Sequence, residues 1–451
     1  MSKTVWMFPT PGAHLPGTLG ALVDGNATMQ STLDSVDRIA ERYDWDPVTP
    51  GLLRPDSDAC SGPEHLWLGF YVTSLVVADI LTAHGVACDA LVGHSAGEVS
   101  ALVVAGSLTA EDGARILCER TKAVEAEGSS APSGGMVALA APMRRVAHLC
   151  GAVDQGSLVV AVDNGPGQVV ASGETGALAL LEKAADVLGI QATWLAIPDS
   201  YHNPRLGKAA RRMADAIRDV PRKAPLIPVY SPQLGRYVRN ADDVLALLEG
   251  MLLLPVQFRP ALNTLYDDGA DTFIECGAKQ VLSDIVPECL PKAARAVPGL
   301  TGRAQAGSAQ QLVETVTTKP VHGPQPRPAA KQPAPTAPAP PERDVAEPLT
   351  PAPPPPEASH NGSADGLPAE SVLRDEIRAV YAEILQYPAD VIEDDVALEA
   401  ELGVSSLKQT QAFVRLLDKF ELSTPSSDVR IFDYRTVADI STLLRQLADA
   451  R

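Results

Sequence analysis

The sequence predicts a multidomain α/β protein, and three observations support this fold class. The chain has 451 residues, enough for about three domains of ordinary size, and 45% of them are hydrophobic. Short apolar runs alternate with longer helical patterns over residues 1–318, as in an α/β domain. Of the 39 prolines, 15 fall within residues 319–366, and helical periodicity returns over residues 367–451. We therefore expect a large α/β domain, a linker and a small helical domain.

Strands and helices are predicted to alternate through the first domain. The strand candidates are Val5–Phe8, Ala90–Val92, Val137–Ala140, Leu158–Val162, Val169–Ser172, Thr193–Ile197 and Thr272–Glu275. Helical patterns cover Leu66–His84, Ala96–Ala105, Ala110–Glu127, Thr175–Leu188 and Pro204–Val220. From about residue 130 to residue 200 the strands are dense around two helices, which indicates a small α+β insert.

Residues 319–366 contain no aromatic residue and are rich in proline. Proline runs such as residues 353–356 favour extended polyproline II segments, which cannot pack a core. We expect a flexible linker that reaches about 40 Å as a coil and on the order of 150 Å when fully extended. Such a linker suits a tethered domain that must swing.

Residues 367–451 predict an acidic bundle of four helices. The helix candidates are Glu370–Leu385, Ser406–Phe420, Thr436–Ala450 and a short helix near Asp428–Phe432. The segment has 16 acidic and 9 basic residues, a net charge of −7.

Charge and composition exclude several classes of partner. With 37 Lys+Arg against 56 Asp+Glu, the net charge of −19 leaves no field to attract nucleic acid or an anionic membrane.

The six cysteines form no CxxC pair and no His/Cys cluster at ligand spacing, so we expect reduced thiols and no metal site. The longest apolar runs, such as Leu252–Leu254, fall far short of a bilayer span. A soluble, cytoplasmic protein is predicted.

Ser95 is the strongest candidate for a catalytic residue. It lies in Gly93-His94-Ser95-Ala96-Gly97, after one apolar run and before a helical pattern. A serine on such a sharp strand-to-helix turn exposes its hydroxyl, and the helix N-terminus favours developing negative charge. We interpret the motif as a nucleophile elbow in which the Ala96 N–H contributes to an oxyanion hole.

A serine nucleophile needs a base, and His202 is the best candidate. It follows the apolar run Leu195–Ile197 and precedes a helical pattern, a position that can aim an imidazole into a cleft. No acid is obvious as a third member of a triad. The order Ser…His also differs from the Ser…Asp…His order of ordinary α/β-hydrolases. The motif therefore indicates a class of enzyme other than the ordinary α/β-hydrolases.

Taken together, these motifs resemble those of the malonyl-CoA:acyl-carrier-protein transacylases and of the acyltransferase domains of polyketide synthases. The resemblance spans residues 3–318 and is carried by Phe8-Pro9, Gly12, Gly93–Glu98, Arg120, Asn164–Val170, His202–Pro204, Pro255–Gln257 and Glu275–Gly277. It implies a hydrolase-like α/β core with an inserted ferredoxin-like subdomain at about residues 130–200.

The resemblance also implies roles for the site residues. Ser95 would be acylated in a ping-pong reaction, with His202 as general base and acid. Gln257 would orient His202 in place of the usual acid. Arg120 would pair with the free carboxylate of a malonyl-type group, for which the planar guanidinium is better suited than an ammonium.

Two parts of the site depart from the family pattern. Pro11 stands where the family uses a backbone N–H in the oxyanion hole, and proline has no such proton. Either Gly12 or a shifted loop donates instead, or catalysis is weak. Residues 199–202 replace the usual selectivity tetrads, and the bulky Tyr201 is closer to the malonyl type than to the methylmalonyl type. We expect Tyr201 and His94 to contact the substrate.

The C-terminal segment independently resembles an acyl or peptidyl carrier protein. Leu402–Leu407 matches the L-G-x-D-S-L pattern, with Ser405 in place of the usual aspartate. The resemblance implies that Ser406 accepts 4′-phosphopantetheine from a phosphopantetheinyl transferase. A serine at a helix N-terminus also gives the phosphodiester a favourable dipole.

We therefore predict an acyltransferase fused to a carrier domain, acting in polyketide or related natural-product assembly. Malonyl or another short dicarboxylic unit would move from a CoA or carrier thioester to Ser95, and then to a phosphopantetheine thiol on a carrier protein or polyketide synthase module. Two alternatives stay open. One is a hydrolase that clears acyl groups from carriers, and the other is a non-catalytic docking scaffold, motivated by Pro11 and Ser405.

Overall fold

The computed structural model describes most of the chain outside residues 319–366. The described residues are 3–10, 13–14, 17–54, 63–127, 134–154, 156–197, 199–300, 309–318, 367–385, 392–398, 404, 406–420, 422 and 434–449. The predicted linker and the predicted short helix near residues 428–432 therefore lie outside the described residues.

Ten strands and sixteen α-helices are formed by the described residues. The strands are β1 (Lys3–Phe8), β2 (Ala90–Gly93), β3 (Gly134–Leu139), β4 (Val159–Gly165), β5 (Gln168–Glu174), β6 (Ala192–Trp194), β7 (Val229–Ser231), β8 (Arg236–Val238), β9 (Ala270–Glu275) and β10 (Arg295–Val297). The helices are α1 (Gly20–Val23), α2 (Ala27–Arg42), α3 (Thr49–Leu53), α4 (Pro63–Ala83), α5 (Gly97–Val104), α6 (Ala110–Glu125), α7 (Met143–Val153), α8 (Thr175–Val187), α9 (Gly207–Ala216), α10 (Ala241–Gly250), α11 (Phe258–Asp267), α12 (Val286–Cys289), α13 (Ala309–Thr318), α14 (Glu370–Leu385), α15 (Ser406–Lys419) and α16 (Val437–Asp449), with a 3₁₀ turn at Pro204–Leu206.

The larger sheet places Ser95, the predicted nucleophile, just after a central strand. Its order is β10-β9-β1-β2-β7-β8, and all pairs are parallel except β7 with β8. Residues 5–8 of β1 and all of β2 are buried and almost wholly apolar, as expected of parallel strands covered on both faces. Ser95 follows β2 by two residues, at the carboxyl edge of the sheet.

Two glycines allow the turn from β2 to α5 to pass close to its neighbours. A Cβ on Gly93 would overlap the backbone of Glu98, and one on Gly97 would overlap the carbonyl oxygens of Phe8 and Pro9. Ser95 between them has a positive φ of 54°. A side chain at either position would meet backbone atoms, which cannot move aside as a flexible side chain can. The tight turn therefore depends on both glycines.

The smaller sheet is antiparallel, in the order β4-β5-β3-β6, with α7 after β3 and α8 after β5. This connectivity is the ferredoxin-like βαββαβ arrangement. It is joined to the rest of the domain at β4, where the Asp163 N–H donates to the Val256 carbonyl at 2.9 Å. The buried Asp163 carboxylate also accepts hydrogen bonds from the Arg259 guanidinium, the shortest at 2.7 Å.

One expectation about apolar segments is wrong. Within α4, the stretch Leu66–Ala83 is apolar and long enough to cross a membrane by length and composition alone. However, 78% of that stretch is buried inside the protein, where it packs in the core of the first domain. Its apolar character is explained by contact with protein on nearly all sides.

The C-terminal helices have their own hydrophobic core. Leu373 and Ile377 of α14, Leu416 of α15, and Ile440 and Leu444 of α16 are fully buried in it. Three long helices of the predicted bundle are therefore present in the described residues. The apolar positions recur at helical spacing, which is why the sequence predicted these three correctly.

We expect Gly97→Ala to destabilise the first domain by about 1–3 kcal/mol, because the new methyl group would overlap the end of β1. The matched control is Gly151→Ala in α7, where nothing lies within 4 Å of the new Cβ and alanine should stabilise by roughly 0.5–1 kcal/mol. All four tryptophans belong to residues 1–318, so tryptophan fluorescence during urea unfolding measures this domain. Equal unfolding midpoints for the two variants would contradict the packing argument.

Candidate active site

Ser95 and His202 form a hydrogen-bonded pair, although 107 residues separate them in sequence. The Ser95 Oγ lies 2.6 Å from His202 Nε2. Both side chains are buried, with 8% and 3% of their surface exposed. The distance is short enough for proton transfer from the hydroxyl to the imidazole.

A backbone carbonyl orients the imidazole of His202. The Nδ1–H donates to the Leu254 carbonyl oxygen at 2.8 Å, which leaves Nε2 as the acceptor for the Ser95 hydroxyl. The predicted role of Gln257 stays a prediction. Within the described residues the Gln257 side chain makes no hydrogen bond to His202, and its N–H donates to the Pro232 carbonyl at 3.1 Å.

The surroundings of His202 keep the ring neutral. Burial and, to a smaller extent, the positive charge of Arg120 lower its pKa to about 3, although the hydrogen bond to Leu254 acts in the opposite direction. At neutral pH the imidazole is therefore unprotonated and can accept the proton of Ser95.

The role of Ala96 as a donor of an oxyanion hole stays a prediction. Ala96 directly precedes α5, and its N–H has no backbone acceptor in the described part of the chain. Backbone N–H groups at a helix N-terminus lack acceptors within the helix, so this position is compatible with the predicted role. Gly12 and Pro11, which bear on the second donor, lie outside the described residues.

Arg120 is a buried cation held between two aromatic rings. Its guanidinium carbon lies 4.2 Å from the Trp67 ring centroid and 4.0 Å from that of Tyr201. The residue is 1% exposed, and its Nε and Nη1 have no hydrogen-bond partner among the described residues. Burial lowers the pKa of the guanidinium, and no carboxylate in the described structure forms an ion pair with it. An anionic ligand would supply hydrogen-bond acceptors for these two nitrogen atoms.

The rings around Arg120 contact each other as well. Trp67 and Tyr201 meet edge to face, with centroids 5.3 Å apart. Tyr201 directly precedes His202, so one segment contains both the predicted base and an aromatic ring that contacts the arginine. Trp67 was not predicted as a site residue, because an aromatic residue in the apolar pattern of α4 cannot be distinguished from a core residue.

His94 is buried next to Ser95 in sequence, and its ring belongs to a separate hydrogen-bond network. Its Nε2–H donates to Asn164 Oδ1 at 2.8 Å, and Asn164 Nδ2 donates to Gln168 Oε1 at 3.0 Å. Burial lowers the pKa of His94, so this ring is also neutral. Its Nδ1 has no partner in the described structure. The predicted contact of His94 with substrate stays a prediction.

Asn203 ties the segment that contains His202 to the smaller sheet. Its Nδ2 donates to the carbonyl oxygens of Ser157 and Ser172, at 2.8 and 3.1 Å. Its N–H donates to the Leu252 carbonyl at 3.2 Å. These bonds support His202, whose φ of 57° is unusual for a residue with a side chain.

Ser406 is the first residue of α15, as the helical pattern predicted. The attachment of 4′-phosphopantetheine to this residue stays a prediction. Among the described residues, no group of three or more His, Cys, Asp or Glu side chains comes together as a possible metal site.

The fold and the sequence together define an acyl transferase. A family model described as "Acyl transferase domain" matches residues 5–322, and one described as "Phosphopantetheine attachment site" matches residues 375–444. The first match covers more than half of the chain, so the chain belongs to the acyl transferase domain family.

Curated relatives and solved structures agree with this family. The chain is 27% identical over 329 residues to polyketide synthase GfsA of Streptomyces halstedii, and 27% identical over 323 residues to pikromycin polyketide synthase component PikAIII of Streptomyces venezuelae. These alignments use 71% and 70% of the chain but span only 4% and 20% of the relatives.

Two solved structures are similar in fold. Malonyl-CoA:acyl carrier protein transacylase from Xanthomonas oryzae pv. oryzae has a TM-score of 0.60 and 26% identity, covering 66% of this chain and 94% of that one. The acyltransferase domain from module 8 of the salinomycin polyketide synthase has a TM-score of 0.62 and 26% identity, covering 70% and 76%.

The low pKa of His202 predicts how the reactivity of Ser95 depends on pH. We expect the rate of labelling by a fluorophosphonate to be nearly constant between about pH 5 and 8, because the base stays neutral throughout. A histidine with the ordinary pKa of 6.5 would instead lose half of its activity at that pH. An inflection near pH 6.5 would contradict the buried, neutral base. His202→Ala should label at least about a hundredfold more slowly.

Proposed function

We propose that the chain transfers a short dicarboxylic acyl group, such as malonyl, from a thioester to a phosphopantetheine thiol through an acyl-Ser95 intermediate. The observation that carries this proposal is the juxtaposition of a hydrogen-bonded Ser95–His202 pair with the buried, unpaired cation of Arg120. The pair supplies covalent chemistry, and the cation supplies recognition of a free carboxylate.

The proposed reaction begins with proton transfer within the pair. His202 Nε2 takes the proton of the Ser95 hydroxyl while Oγ attacks the thioester carbonyl carbon. The negative charge on the carbonyl oxygen is stabilised by the Ala96 N–H, with a second donor predicted at Gly12. The C–S bond then breaks, the leaving sulfur takes the proton from Nε2, and the acyl group remains on Ser95.

The second half of the reaction reverses these steps with a new thiol. The acceptor thiol gives its proton to His202 Nε2, and its sulfur attacks the ester carbonyl. Collapse of the tetrahedral intermediate breaks the bond to Ser95 Oγ, which regains the proton. His202 thus acts once as base and once as acid in each half-reaction, with the Leu254 carbonyl fixing its orientation throughout.

Arg120 selects the acyl group in this proposal. A carboxylate would replace the missing hydrogen-bond partners of its Nε and Nη1 in a site from which water is largely excluded. Trp67 and Tyr201 pack against the guanidinium, and its Nε and Nη1 are left for the ligand. The bulk of Tyr201 favours a malonyl-type unit over a branched one.

The acceptor is proposed to be a carrier domain. When attached to Ser406 by a phosphopantetheinyl transferase, 4′-phosphopantetheine supplies the thiol that holds an acyl group as a thioester. In this proposal residues 1–318 are the acyltransferase domain, residues 319–366 the tether and residues 367–451 the carrier domain. CoA or another carrier donates the acyl group. Polyketide synthase modules are the proposed partners, in the cytoplasm and without membrane or nucleic acid.

Two serine variants test the assignment. Ser95→Ala should abolish acyl-enzyme formation and leave phosphopantetheinylation intact, whereas Ser406→Ala should do the reverse. Intact-protein mass spectrometry after incubation with malonyl-CoA measures both additions. An acyl adduct that survives in Ser95→Ala would contradict the mechanism. Steady release of free acid, unaffected by a holo carrier, would favour the hydrolase instead.

A third variant tests the substrate. We expect Arg120→Ala to slow malonyl loading more than tenfold and to spare acetyl loading, since a hydrogen bond to a charged group contributes about 2 kcal/mol. The matched control is Arg115→Ala on the same helix, whose guanidinium pairs with Asp219 near the surface, 2.7 Å away. Stopped-flow or quenched-flow loading with the two acyl-CoAs gives the ratio. Unchanged selectivity in Arg120→Ala would make the arginine structural and would refute the dicarboxylic substrate.

A further inference from the structure

Trp67 brings an aromatic ring to Arg120 from a neighbouring helix. The arginine belongs to α6 and the tryptophan to α4. The guanidinium carbon lies 4.2 Å from the centroid of the Trp67 ring, and Trp67 is 2% exposed, so the contact is closed to bulk water. Trp67 lies outside the motifs that carry the family resemblance. Its contact with the arginine is therefore a feature of this chain that those motifs do not explain.

The packing of α4 against α6 places Trp67 at this position. One turn after Trp67, the Tyr71 hydroxyl donates to the Ala110 carbonyl oxygen at 2.7 Å. A Cβ on Gly113 would overlap that hydroxyl oxygen, so the glycine allows the tyrosine to approach α6. Trp67 and Tyr71 are four residues apart and share one face of α4. Going back along α4 from Tyr71 to Trp67 corresponds to going forward along α6 from Gly113 to Arg120.

The charge of Arg120 has no counter-ion among the side chains that the structure describes. The residue is 1% exposed, and its Nε and Nη1 have no hydrogen-bond partner there. A buried charge is strongly unfavourable unless other groups compensate for its lost hydration. A carboxylate of the protein would compensate, but it would also occupy the nitrogen atoms that the proposed function requires for the acyl group.

An aromatic ring compensates for a buried cation in a different way. The negative face of the ring attracts a cation within about 6 Å of the centroid, and tryptophan attracts it most strongly. The attraction is larger where water is excluded, as it is around Arg120. It uses none of the N–H groups of the guanidinium. Trp67 can thus stabilise the charge while Nε and Nη1 stay available to a ligand.

Tyr201 supplies a second ring, 4.0 Å from the guanidinium carbon. It directly precedes His202, so a substitution at Tyr201 would also alter the segment that contains the predicted base. Trp67 belongs to α4, which contributes neither Ser95 nor His202. A substitution at Trp67 therefore tests the contribution of an aromatic ring separately from the Ser95–His202 pair.

We propose that Trp67 is a positioning residue for recognition of the free carboxylate, because its ring holds the Arg120 guanidinium in place without an ion-pair partner until the acyl group binds. This inference deepens the proposed function and rests on it, since Arg120 must recognise the carboxylate. Selectivity for malonyl over acetyl should then depend on an aromatic ring at residue 67. With an aliphatic side chain there, the guanidinium would lose this contact and turn towards water or another acceptor.

Competition between two acyl-CoAs measures that selectivity. The full-length protein, before phosphopantetheinylation, would be mixed with malonyl-CoA and acetyl-CoA together, and the early adducts counted by intact-protein mass spectrometry. Unfolded molecules form no adduct, so partial unfolding of a variant does not change the ratio. Trp67→Leu and Trp67→Met should each lower the malonyl-to-acetyl ratio about tenfold, and one of them that folds is sufficient. Trp67→Phe keeps an aromatic ring and should stay within about threefold of the unmodified protein.

Two further variants separate the contact with Arg120 from the packing of α4. Tyr71→Leu removes a ring from the same face of α4, where the tyrosine contacts the start of α6, and should leave the ratio unchanged. In the background of Arg120→Ala, adding Trp67→Leu should change the ratio by less than about twofold, because the effect of the ring passes through the arginine.

The outcomes distinguish this inference from the function on which it rests. If Arg120→Ala lowers the ratio and the two aliphatic variants of Trp67 do not, the role of Trp67 is wrong and the proposed function stands. An equal loss in Trp67→Phe or in Tyr71→Leu would also overturn that role, as would a further loss in the background of Arg120→Ala. If Arg120→Ala leaves the ratio unchanged, the dicarboxylic substrate and this inference both fail.

Discussion

The arrangement of the site depends on one hydrogen bond, between Ser95 and His202, that joins two strained turns. Both residues have positive φ angles, 54° and 57°. Such conformations cost on the order of 1–3 kcal/mol each and persist only where the surroundings enforce them. The close packing of Gly97 under β1 enforces the first, and the bonds of Asn203 to the smaller sheet enforce the second. The two sheets together therefore create the 2.6 Å contact.

Electrostatics then link recognition to reactivity. Arg120 is buried without an ion-pair partner in the described structure, and its charge contributes to the low pKa of His202. Under the proposed function, a carboxylate bound to Arg120 would cancel part of that charge and raise the pKa of His202. The interaction that selects a dicarboxylic acyl group would thus also favour proton acceptance by the base. A neutral acyl group would provide neither effect.

Sequence patterns predicted the architecture and the reactive pair but not everything around them. The main strands and the three long C-terminal helices have clear periodicity, whereas β7, β8 and β10, with three residues each, are too short to show one. The hydrogen bond from His202 to the backbone carbonyl of Leu254 was not predicted, because a backbone acceptor has no signature in sequence. Without the family resemblance, Arg120 would pass for a surface charge and Trp67 for a core residue. The contact of the Arg120 guanidinium with the Trp67 ring is visible only in the structure.

The central claim is that one acyl group passes through Ser95 to the carrier domain, and its time course tests this most directly. The unmodified holo protein would be mixed with malonyl-CoA, quenched at intervals and digested, and the malonyl group located by peptide mass spectrometry. We predict that the label appears first on the Ser95 peptide and then on the phosphopantetheinylated Ser406 peptide, and that the Ser95 label declines as malonyl-CoA is exhausted. A label that appears on the Ser406 peptide without prior occupancy of Ser95 would contradict it.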